Sequence, residues 1–228
     1  MRTTIRFGEL RRVFRSHANS MADAHIARLC VLYEDLRLEL QGVLGHAISS
    51  PETLGSSPLG ARLDGNDSYR NYYFLRRSVG TLFEFAEGIH LLNSDPDFLK
   101  IELGEALSSE WLESVDFFDS KFDLIQKVRN DIGGHFGSVA SRYAVKNLRE
   151  GAAGKLELLL DDKDGRIELR LHFAGDIAAT ALLKHLEGET DDERVSGFFQ
   201  NVLVVAYKHA TKAVQILVGV HLLPKLGL

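Results

Sequence analysis

Apolar residues return every three or four positions along four stretches of this chain, and every second position along a fifth. Leu29, Leu32, Leu36, Leu40 and Val43, with charges between them, predict an amphipathic helix over 20–42. Leu75, Val79, Leu82, Ala86 and Ile89 predict a second over 68–93, with Asn66 or Asp67 placed to cap it. Trp111, Val115, Phe118, Phe122, Ile125 and Ile132 predict a third that begins near Ser109, with Glu110 and Glu113 in its first turn. A fourth runs over 192–220, and shorter helices are expected over 99–107 and 176–186.

The period changes to two in "KLELLLDDKDGRIELRLHF". Leu156, Leu158 and Leu160, then Ile167, Leu169, Leu171 and Phe173, flank an Asp164-Gly165 turn and predict a β-hairpin. One hairpin alone is marginal in water, so its apolar face is expected to lie on the helices or on a second subunit. Between the first two helices, residues 46–67 are rich in Ser, Gly and Pro and read as a loop. The fold class expected is mainly α: a bundle of about four long helices with short extra helices and one inserted β-hairpin at about 155–173.

Composition narrows the function classes more than it names one. The 228 residues are 45% apolar and 26% charged, as in an ordinary globular protein. A single Cys, Cys30, excludes an internal disulfide framework and a Cys-based zinc cluster. The net charge of −5 hides an uneven spread, since the first fifteen residues hold Arg2, Arg6, Arg11, Arg12 and Arg15 against Glu9. That start could resemble a transit peptide, but an ordered basic arm is the expectation. The apolar run near the C-terminus is interrupted by Lys208, His209 and Lys212, so it reads as a core helix rather than a membrane span. A cytoplasmic protein with no membrane association is expected. No HExxH, zinc-finger spacing, phosphate loop or Ser-centred nucleophile elbow is present, and "DDKDG" lacks the terminal Glu of a calcium loop. Neither metal nor cofactor is expected.

The chemistry concentrates in "KVRNDIGGHFG", residues 127–137. Counted at 100° per residue, Arg129 falls in the middle of the arc formed by Phe118, Phe122, Ile125 and Ile132. An Arg there must snorkel, pair with a core carboxylate such as Glu84 or Glu87, or meet an anion. His135 lies about 120° away on an ideal helix. Gly133 and Gly134 allow the last turn to tighten, kink or end, and also let another backbone or a ligand approach. The alternative is a plain Gly C-cap followed by a solvent-exposed His.

Arg129, the polar Asn130 and His135 after five intervening residues, near the end of a long helix in a helical protein, resemble the motif of the HEPN superfamily. The resemblance extends over the long helices, about two-thirds of the chain. It implies a single HEPN-like helical domain over 1–228, with a basic arm at 1–19 and a hairpin insertion at 154–174. It further implies a metal-independent endoribonuclease, a toxin or defence component, acting as a homodimer whose two Arg/His motifs meet across the interface. His135 would then be the general acid/base, Arg129 the phosphate clamp and Asn130 an orienting group, which suits the chemistry of those side chains. RNA would be the substrate and a second protein could act as inhibitor. Many members of the superfamily are silent binding modules, so a non-catalytic helical module that binds a protein or nucleotide is the alternative. In "DSYRNYYFLRRS", Tyr73, Arg76 and Arg77 are candidate RNA contacts, because aromatics beside Arg can stack on and clamp a single strand. The alternative there is the solvated basic face of a core helix.

Overall fold

The computed structural model describes residues 13–14, 21–44, 68–101, 103–133, 136–148, 154, 156–161, 166–171 and 173–227. The protein is mainly helical. In order come α1 (Ala22–Leu44), α2 (Ser68–Asn93), α3 (Glu105–Val128), a π-helical turn π1 (Arg129–Gly133) and α4 (Ser138–Lys146). Strands β1 (Leu156–Asp161) and β2 (Arg166–Leu171) follow, then α5 (Ala174–Leu183) and α6 (Asp191–Phe198). The last long stretch alternates π2 (Phe199–Val204), α7 (Val205–Leu217), π3 (Val218–Leu222) and a final turn α8 (Leu223–Lys225).

The chain forms two compact units, and α1, α2 and α3 each contribute to both. The first consists of Met1–Leu36, Thr81–Phe122 and Val205–Leu228, the second of Arg37–Gly80 and Asp123–Val204. In the first unit Leu29 and Leu36 of the first stripe and Leu82, Ala86 and Ile89 of the second are buried, while Leu32 is half-buried. Ile26 and Phe85, outside those stripes, are buried too, and Phe85 meets Phe118 at 5.5 Å between ring centroids. Burying one such side chain removes it from water at a gain of roughly 1.5–3 kcal/mol. Trp111 is buried against Phe98 at 4.9 Å and satisfies its indole N–H on Asn93 Oδ1 at 2.8 Å. Arg28 pairs with Glu84 and, at 3.7 Å, with Glu87, the two carboxylates considered above as partners for Arg129.

Three local expectations change. Among the described residues of 99–107 no separate helix forms ahead of α3, which starts earlier, at Glu105. Asp95 accepts the backbone N–H groups of Asp97 and Phe98 at 2.9 and 3.2 Å, so its side chain holds the turn that follows α2. A short helix α4, which no clear periodicity announces, buries only Ala140 and Ala144. The long C-terminal stretch is broken by π turns where a single helix was expected. Its run Glu193–Lys225 is long and apolar enough by composition to cross a membrane, yet 56% of its most apolar window is buried inside the protein.

β1 and β2 pair antiparallel, with Leu156 opposite Leu171 and Leu158 opposite Leu169. These four leucines share one face of the hairpin and are 41–61% exposed. The Asp164-Gly165 turn and the loop 46–67 lie outside the described residues, as does the basic arm 1–19 apart from Val13 and Phe14.

Candidate functional site

The second unit gathers the motif. α3 ends at Val128, and the next five residues, Arg129 to Gly133, wind as a π turn. Such turns insert a residue into the helix and are frequent at functional positions. Val128, the last residue of α3 and placed by α-helical counting beside the stripe, is 1% exposed, as is Ile132, whereas Arg129 is only half-buried and Asn130 is exposed. The fully buried position expected of Arg129 is taken by Val128 instead. Arg129 donates from its guanidinium to Asn130 Oδ1 at 3.1 Å, so the first two motif residues present a joined polar surface. His135 and Gly134 lie outside the described residues.

Gly133 has a definite task. A Cβ built there would stand 3.1 and 3.2 Å from Cγ and Cβ of Arg129, and 3.5 Å from the backbone nitrogen of Gly80. The missing side chain leaves room for the Arg129 stem on one side and the backbone of α2 on the other. Gly80 reciprocates, since its own Cβ would meet the Gly133 carbonyl oxygen at 3.3 Å.

α2 also supplies Arg76, which donates from Nε to the Ile132 carbonyl at 2.8 Å. Its guanidinium carbon lies 5.6 Å from the centre of the Phe136 ring, a cation–π distance. The residue read as an RNA contact thus grips the motif segment on both sides of positions 134 and 135. Arg77 is directed to Glu39, 3.4 Å away, with its own side chain 57% exposed, while Tyr73 is 48% exposed with its ring edge-on to Phe74. At 100° per residue, Tyr73, Arg76 and Arg77 fall within about 100° of one another on α2, so they share one side of the helix, but of the three it is Arg76 that bonds the motif turn.

Asp131 meets residues that sequence reasoning did not select. Its Oδ2 accepts from Lys184 Nζ and from His185 Nε2, each at 2.6 Å. An ionised carboxylate can only accept, so His185 carries its proton on Nε2. Burial works against the charge on Asp131, but the hydrogen bonds from Lys184 and His185 outweigh it and hold the carboxyl below the ordinary carboxylate range. The one sequence cue to this pair was a Lys-His dipeptide just past α5, where a helix dipole favours cations. Its partner, 53 and 54 residues earlier, had no local signature.

His209, on the apolar face of α7 in the first unit, lies 3.3 Å from Ser114 Oγ and stacks on Phe117 at 4.5 Å. It is a hydrogen-bonded histidine, but half-buried rather than fully in the core. Burial, and then the nearby Lys212, push its pKa down. Among the described residues, no cluster of three His, Cys, Asp or Glu side chains is arranged to hold a metal ion. No family model, curated protein or solved structure matches this chain.

Proposed function

We propose that this protein is a HEPN-like, metal-independent endoribonuclease that works as a homodimer. The reading is carried by one observation: the motif Arg and its polar neighbour sit together on a π turn, hydrogen-bonded at 3.1 Å, with Gly133 clearing the Arg stem. The mainly helical fold is compatible with the same reading. Arg129 would bind the phosphodiester and stabilise the charge that develops on it. Asn130 would orient the Arg129 guanidinium. His135 would transfer the proton as the 2′-oxygen–phosphorus bond forms and the bond from phosphorus to the 5′-oxygen breaks, leaving a 2′,3′-cyclic phosphate and a 5′-hydroxyl. Tyr73 and Arg77, on the side of α2 that also bears Arg76, would extend the RNA contact.

The exposed leucines of the hairpin are apolar surface of the kind a second copy of the chain could cover. A cytoplasmic toxin or defence role, with a protein inhibitor, follows from the same resemblance.

The test is RNA cleavage in EDTA. Wild type should cleave, Arg129→Ala should lose about 10²–10³-fold in kcat, and His135→Ala about 10²–10⁴-fold. A wild type that binds RNA without cutting it favours the non-catalytic module. Full activity in both variants would sink the assignment.

A further inference from the structure

A π turn departs from regular α-helical spacing, so the direction in which its side chains point depends on what its neighbours hold in place. π1 is held in part through Asp131, which lies at its centre and is tied twice. Its carboxylate is gripped by Lys184 and His185 at 2.6 Å each. Its carbonyl accepts the Gly137 N–H at 3.3 Å, closing the segment 131–137 that contains His135. One residue therefore links the turn to the end of α5 and brackets the stretch between the two halves of the motif.

The three side chains of this grip are 16% (Asp131), 26% (Lys184) and 20% (His185) exposed. Charge-assisted hydrogen bonds in so enclosed a setting are short and strong, and water replaces them poorly. Residues two apart on a helical turn do not face each other. Asp131 accordingly reaches α5 from a different side of the turn than Arg129, whose stem lies over Gly133.

Resting on the ribonuclease reading above, we infer that Asp131 is a positioning residue for the phosphate clamp: held by Lys184 and His185, it sets the rotation of the π turn about its axis, and so the direction in which Arg129 and Asn130 meet the phosphodiester. In this role neither Lys184 nor His185 touches RNA. Arg76 also supports the turn, from α2 through the Ile132 carbonyl.

The experiment compares full-length wild type, Asp131→Asn and Asp131→Glu by steady-state RNA cleavage in EDTA, thermal melting and the ¹⁵N resonance of Arg129 Nε–H, assigned through Arg129→Lys. Asp131→Asn should lower kcat per folded molecule about 100-fold, as expected for misplacing a catalytic group by an ångström, while KM stays within about twofold. Asp131→Glu, which keeps the charge, should recover part of that loss. The Arg129 Nε–H signal, single in wild type, should shift or average in Asp131→Asn. A role confined to stability would lower the melting temperature and leave kcat per folded molecule unchanged, and that result overturns the inference. Should wild type not cleave RNA at all, the ribonuclease reading falls and the Arg129 resonance decides alone: altered in Asp131→Asn, it upholds the positioning role, and unaltered, it overturns it.

Discussion

Among the described residues, the same three side chains, Asp, Lys and His, cluster once in each compact unit. In the second unit Asp131 holds Lys184 and His185. In the first, Asp23 holds His221 Nε2 and, at 2.6 Å, Lys225 Nζ, which also donates to the Val13 carbonyl at 3.0 Å. Asp23 is the more enclosed carboxylate, its side chain 8% exposed against 16% for Asp131. The hydrogen bonds are of the same type, so their chemistry does not separate the two clusters. What separates them is the backbone on which the carboxylate is mounted. Asp23 sits in the first turn of α1, where an acidic residue is favoured by the helix dipole, and it fastens the final turns of the chain to the start of that helix. Asp131 sits in a π turn, two residues after Arg129. One cluster secures ends, and the other aims a side chain.

The largest expected effect tests that difference directly. Asp23→Asn should lower the melting temperature by roughly 5–10 °C, the loss of charged hydrogen bonds in a chain of this size, with RNA cleavage per folded molecule unchanged. Asp131→Asn should lose stability of the same order, since its hydrogen bonds are of the same type, but should also lower cleavage per folded molecule. Equal cleavage by the two variants would dissolve the distinction. Gly133→Ala comes next. Its methyl would press on the Arg129 stem at 3.1–3.2 Å, so a shift of a few tenths of an ångström should cost about tenfold in kcat. The melting temperature should hold or rise, because Ala is the better helix former.

Acid should separate the units more gently. The folded pKa of His209 is lowered, so its contribution to stability is complete above the ordinary value of 6.5 and is lost as pH falls from there through the folded value. The folded pKa of Asp131 is lowered too, but its contribution persists until pH falls below 3.8. Hydrogen exchange should show amides of α7 losing protection as pH falls below about 6.5, with π1 holding until pH falls below about 3.8. Simultaneous loss would count against the two assignments. The smallest effect on stability belongs to the hairpin. Leu158→Ser with Leu169→Ser should change monomer stability by about 0.5 kcal/mol or less, as exposed substitutions do, yet shift sedimentation from dimer toward monomer. An unchanged sedimentation coefficient would remove the hairpin from the dimer contact.

How much of this was readable beforehand depended on the range of the interaction. The stripe Leu75, Val79, Leu82, Ala86 and Ile89 is buried throughout, and α2 spans the residues its periodicity marks, because burial of an amphipathic face is written every three or four positions. Arg129 and Asn130 were also legible, as a local pattern at a helix end. α4 was not, since two buried alanines in nine residues make no stripe. Nor was the π turn, since a period read along α3 carries no sign of where it will slip by one residue.

By itself, then, the sequence determined the mainly helical class, the long helices and the segment in which the candidate chemistry lies. All of these are short-range consequences of side-chain type and spacing. Only the tertiary structure decided that Val128 rather than Arg129 takes the fully buried position, that Gly133 makes room for the Arg129 stem, that Arg76 braces the turn, and that Lys184 and His185 grip Asp131. The physical reason is shared. A charge, a glycine or a carbonyl can meet many partners, and which one it meets is set by packing that brings together residues some fifty positions apart.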